Sequence, residues 1–133
     1  MAFVVDTSVV IAWFIKDQAT AYTNRLRERA RREALHAPAV LPLEIVNAVW
    51  QLQKRRRLSA HQVDEIVVKA MRLKINIHAE PVPMQSLLGV ARHHGPAAYD
   101  ASFIELAQRL GLPLVAKDEV LLDAARRAGI PTA

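Results

Sequence analysis

Two rhythms of apolar residues alternate along this chain. Short unbroken apolar runs mark strands, and apolar residues spaced three and four apart mark helices. Ala2 to Val5 reads as a short buried strand, and Thr7 to Ile15 as a helix with Thr7 or Ser8 as its cap. Val9, Val10, Trp13 and Phe14 give that helix an inward face. Gln18 to Ala34 reads as a second helix with a thin stripe of Tyr22, Leu26 and Ala30 among many arginines. Leu35 to Pro38 is extended, since a residue before proline avoids the helical region. A third helix starts near Pro42 and runs to about Arg57, with Leu43, Val46, Val49, Trp50 and Leu52 as its apolar face. Ser59 caps a fourth, reaching roughly Leu73. Ile75 to His78 alternates like a strand. Met84 to His93 is a helix, and His93-His94-Gly95-Pro96 breaks the chain. Tyr99 to Leu110 is a helix ended by Gly111, Leu112 to Ala116 a buried strand, and Asp118 opens a last short helix. Strands that alternate with helices predict an α/β fold, a mainly parallel sheet wrapped by helices. No repeat, linker or low-complexity stretch interrupts it, so the expectation is one domain over 1–133.

Composition narrows the chemistry. The chain has 133 residues, 52% of them hydrophobic, enough for one core. It has no cysteine, which excludes disulfides and thiolate metal sites. Any metal must be held by oxygen or histidine, which favours Mg²⁺ or Mn²⁺ over zinc. The formal charge of +5 suits a polyanionic partner as well as it suits a merely soluble basic protein. Val9 to Ile15 is too short to span a membrane, so no membrane association and a cytoplasmic location are the expectations.

Four acids stand in related places. Asp6 and Asp118 each follow an apolar strand and open a helix, the position of an N-cap. Glu44 lies in the first turn of a mostly apolar helix, where the dipole favours an acid. Asp100 precedes Phe103 and Ile104 by three and four residues and shares their inward face. Singly, each has a bland explanation. Jointly, they put four carboxylates near one edge of the sheet. Two unpaired charges ~5 Å apart cost on the order of 3 kcal/mol at an effective dielectric of 20. Lys117 could neutralise one of them. A divalent cation would relieve all four and could activate water against a phosphodiester.

At this point a resemblance becomes visible. Val4-Val5-Asp6-Thr7-Ser8-Val9, Pro42-Leu43-Glu44-Ile45-Val46-Asn47, Ala98-Tyr99-Asp100-Ala101 and Lys117-Asp118 occur in order over the whole chain. Together they resemble the PIN-domain ribonucleases, in particular the VapC-type toxins of type II toxin–antitoxin systems. The resemblance implies a three-layer α/β/α fold and Mg²⁺- or Mn²⁺-dependent cleavage of RNA. It also implies a homodimer neutralised by a small antitoxin. Carried over by position, Asp6, Glu44, Asp100 and Asp118 become the acidic metal site. Ser8 would orient a carboxylate or water, and Asn47 would be a supporting polar group. The chain departs from the pattern at Ala116, where many relatives have a hydroxyl two residues before the last acid.

Other residues admit two readings each. His93 and His94 could touch RNA, but solvated loop histidines are commoner and they stay outside the site. Trp13, Phe14 and Trp50 could be partner anchors, with core packing expected for at least one. Arg25, Arg29 and the run Lys54 to Arg57 could steer RNA; a solvated face is the favoured reading for the two arginines, and a favourable helix end competes evenly for the run. A non-catalytic PIN-like module that binds RNA or protein is the competing reading. A phosphatase with Asp6 as nucleophile would want a second acid where Ser8 stands.

Overall fold

The computed structural model describes residues 1–95 and 97–133; the expected break at Pro96 lies outside them. Strands β1 (Ala2–Val5), β2 (Ala34–Pro38), β3 (Ile75–His78) and β4 (Leu114–Val115) form one sheet in the order β3-β2-β1-β4, every pair parallel. The helices are α1 (Thr7–Phe14), α2 (Ala21–Arg29), α3 (Val40–Lys54), α4 (Ala60–Met71), α5 (Met84–His94), α6 (Ala98–Leu110) and α7 (Glu119–Arg127).

The order of strands fixes the layers. From β1 to β2 to β3 the chain steps in one direction, then crosses back over the sheet to β4. Parallel crossovers are right-handed, so reversing direction puts the later helices on the opposite face. Helices α1 to α4 therefore cover one face, and α5 to α7 the other, with α6 lying over β1, β2 and β4. β1 is central and covered on both sides, which explains its unbroken apolar run: Phe3, Val4 and Val5 are fully buried. The direction reverses between β1 and β4. A crevice outside the carboxyl ends of the strands opens at such a reversal.

Several expected boundaries shift for identifiable reasons. Asp6, not Thr7 or Ser8, caps α1, its side chain accepting from the Ser8 amide. The expected helix over 18–34 is only Ala21–Arg29. Thr20 and Thr23 form a capping box at its start. At its end Arg29 holds Glu33 in a turn, and Ala34 already pairs with Ala2 in the sheet. Helix α3 stops at Lys54, short of Arg57, because Arg56 adopts a left-handed φ of 59°. β4 is shorter than 112–116: Pro113 has no N–H to give, and only Leu114 and Val115 pair with β1.

The apolar face expected for α3 is also corrected. Leu41, Ile45 and Val49, four residues apart, enter the core. Leu43, Val46 and Trp50 are 64%, 51% and 48% exposed, so they form an apolar stripe on the outside.

Candidate active site

Asp6 extends β1 by one residue into the crevice and is buried. Its Oδ2 accepts from Ser8 twice, from Oγ at 2.5 Å and from the amide at 3.1 Å. Ser8 Oγ in turn accepts from the Lys117 amide at 3.1 Å. One hydroxyl thus ties the end of β1 to the end of β4 and aims the carboxylate between them. Burial pushes the Asp6 carboxyl above its ordinary range; the Ser8 bonds oppose that rise and the charge of Glu44 adds to it.

Glu44 arrives from the second turn of α3. Thr7 Oγ1 donates to its Oε1 at 2.6 Å, across 37 positions of sequence. Burial raises its pKa, the Thr7 bond lowers it, and Asp100 raises it. Asp100 comes from the first turn of α6, on the other face of the sheet. Burial lifts its pKa too, with further lifts from Asp6 and then Asp118. Asp118 is exposed and caps α7, accepting from the Val120 amide at 2.9 Å.

Repulsion thus couples Asp6, Glu44 and Asp100 to one another and Asp118 to Asp100 alone, although the four belong to different elements. None is paired with a lysine, arginine or histidine among the described residues. Lys117, the expected neutraliser, instead gives its Nζ to the Gln18 carbonyl at 2.6 Å. The donor set is oxygen only, which suits a hard divalent cation. Among the described residues, no three Asp, Glu, His or Cys side chains converge closely enough to enclose an ion.

The remaining expected residues divide. Asn47 is exposed and accepts weakly from Gln51 Nε2 at 3.5 Å, with no bond to an acid among the described residues. Arg29 is committed to Glu33. Trp13 is partly buried and donates to the Thr23 carbonyl, Phe14 packs on the core, and Trp50 lies on the exposed stripe. Ala116 is fully buried, and the neighbouring Lys117 amide finds its acceptor in Ser8. Two contributions were not legible as such: Thr7, read as a possible cap, serves Glu44, and the Lys117 amide serves Ser8. Only the hydroxyls directly after Asp6 hinted at them.

This fold and site match known proteins. A model of the PIN domain matches residues 3–127, and the chain belongs to that family. It is 25% identical over 127 residues to the protein named Ribonuclease VapC3 of Pyrobaculum aerophilum, covering 92% of this chain and 94% of the relative. It is 30% identical over 125 residues to Ribonuclease VapC3 of Mycobacterium tuberculosis, covering 91% of this chain and 85% of the relative. The crystal structure of VapBC2 from Rickettsia felis, bound to a DNA fragment from its promoter, superposes with a TM-score of 0.71. That match has 12% identity and covers 100% of this chain and 98% of the other. The three-layer α/β/α fold expected from the sequence is the fold observed, with a sheet that is wholly parallel.

Proposed function

We propose that this chain is a metal-dependent endoribonuclease and the toxin of a type II toxin–antitoxin pair. The observation that carries the reading is the placement of Asp6 at the end of β1 and Asp118 after β4, with Glu44 and Asp100 near enough for charge to couple them to this pair, and no cationic partner for any of the four among the described residues. The names of the relatives support ribonuclease activity, and the VapBC2 neighbour supports a cognate antitoxin. A homodimer, an RNA substrate and a cytoplasmic site of action belong to the same proposal. No helix among the described residues is long and apolar enough to cross a membrane. The chain is read as one domain.

Asp6 and Asp100 would hold a Mg²⁺ or Mn²⁺ ion, with Glu44 either completing its shell or serving as base for the attacking water, and Asp118 at the outer edge. Such an ion supplies an activated water and stabilises the charge that builds on a phosphodiester. The chain's own part is placement. Ser8 fixes the Asp6 carboxylate, and the adjacent Thr7 fixes Glu44. Glu44 is half-buried with a raised pKa, a combination suited to taking a proton from water. Its exposure to the crevice gives that proton a way out to solvent.

Cleavage of RNA in the presence of Mn²⁺ tests the proposal, comparing wild type with Asp6→Asn and Asp100→Asn. Both variants keep a polar group of the same size, and both are expected to lose cleavage while remaining folded. Equal activity in all three proteins would overturn the assignment. The open arrangement of the acids, and Asp118's complete account as a helix cap, favour a second reading as a non-catalytic module. Binding of RNA without cleavage by any form would decide for it.

A further inference from the structure

A pair of histidines stands on β2 and β3, two strands that carry none of the four acids. His36 of β2 and His78 of β3 face each other, with Nδ1 of His36 2.9 Å from Nε2 of His78. Pro38, not His36, is the register partner of His78, so the rings meet across one pleat of the parallel pair. Their centroids are 5.1 Å apart and their planes are inclined at 36°. The far nitrogen of His78, Nδ1, lies 3.4 Å from Glu80 Oε1. Arg109 Nη1 donates to that same oxygen at 2.6 Å, and Arg109 Nε is held by Glu105 at 2.8 Å.

We propose that His36 and His78 form a two-histidine clip for a borderline divalent cation of the zinc, nickel or copper type, separate from the acidic site. Imidazole is a preferred ligand of those ions, whereas carboxylates suit Mg²⁺ and Mn²⁺. Two nitrogens bound to one tetrahedral zinc at 2.0–2.1 Å stand about 3.4 Å apart. The observed pair needs to open by only about half an ångström to reach that spacing. Histidine ligands characteristically give their other nitrogen to a carboxylate, which fixes ring and tautomer, and Glu80 occupies that place for His78. Arg109 and Glu105 hold Glu80 in turn. No third protein ligand closes the shell among the described residues, so water completes it. His78 is 21% exposed, enough for entry from solvent.

The test titrates Zn²⁺ into the metal-stripped full chain and follows heat and melting temperature. Wild type, His78→Gln, Glu80→Gln and Asp100→Asn are compared. Wild type and Asp100→Asn are expected to share one histidine-dependent Zn²⁺ site of equal affinity, whatever further Zn²⁺ the acids of the wild type take up. His78→Gln is expected to lose that site, and Glu80→Gln to bind about tenfold more weakly. His78→Gln should keep whatever response to Mn²⁺ the wild type shows, which separates this clip from the acidic site. His36→Gln serves as the second variant if His78→Gln melts abnormally without metal. Unchanged Zn²⁺ binding in both histidine variants would overturn the proposal and place the ion elsewhere, for example at His61 and Glu65, paired at 3.0 Å on α4. Loss of binding in Asp100→Asn would overturn it in favour of the acids. No binding by wild type would leave the pair as a hydrogen bond between strands.

Discussion

Thr7 Oγ1 donates a 2.6 Å hydrogen bond to Glu44 Oε1, joining the first residue of α1 to the second turn of α3. The bond holds a half-buried carboxylate that burial and Asp100 both drive toward protonation. Thr7→Val keeps the shape and removes the donor. It is expected to cost about 1.5–3 kcal/mol of stability, the range for a bond to a charged group. Mn²⁺ affinity is expected to fall about tenfold, because Glu44 then loses its orientation. Thr7→Ser should restore both. Denaturant unfolding and calorimetry with Mn²⁺ read the two effects.

Ser8 has two duties, donating to Asp6 and accepting from the Lys117 amide. Ser8→Ala leaves that amide without its acceptor and Asp6 with the Ser8 backbone bond alone. The expected cost is about 1–3 kcal/mol. Hydrogen exchange should show the Lys117 amide exchanging faster, while the β2–β3 ladder stays protected.

Asp6, Glu44 and Asp100 all have folded pKa values above their ordinary ones. Between the ordinary and the raised values the folded chain holds more protons than the unfolded chain, so stability falls as pH rises through that window. The metal-free protein is therefore expected to be more stable in mild acid than at neutral pH, as far as these three groups govern it. Asp100→Asn removes charge from the cluster without removing a cap. At neutral pH, without metal, it should raise stability by about 1 kcal/mol after allowing for solvent screening. Urea unfolding at a series of pH values measures both trends.

The two faces of α3 should respond unequally to truncation. Leu41 is fully buried, and Leu41→Ala is expected to cost about 2–5 kcal/mol. Trp50 is 48% exposed, and Trp50→Ala should cost under about 1 kcal/mol. Chemical denaturation of the two variants distinguishes the observed inner face from the one that hydrophobicity alone suggested.

That contrast marks where sequence reasoning reached and where it stopped. Strands β1 and β3 were legible to the residue, since each is short, apolar or alternating, and bounded by a change of chemistry. The face of α3 was not, because Leu43, Val46 and Trp50 share helical spacing with Leu41, Ile45 and Val49. Periodicity names a stripe but not which stripe meets the sheet. The extent of α2 failed for another reason: Ala30 to Ala34 suits a helix, and only pairing of Ala34 with Ala2 draws it into the sheet. The elements that carry the four acids were legible from strand ends and helix starts, with Glu44 one turn further into its helix than expected. The Thr7–Glu44 bond was not, because it spans two helices whose packing no local pattern states.

The central claim is a divalent-cation site made by the acids, and melting of the metal-stripped protein with and without Mn²⁺ tests it most directly. An ion that binds only the native state at ~100 times its dissociation constant stabilises by about 2.7 kcal/mol. The account predicts a rise in melting temperature for wild type and none for Asp100→Asn, although the variant is the more stable of the two without metal. An equal rise in both proteins, or none in wild type, would contradict it.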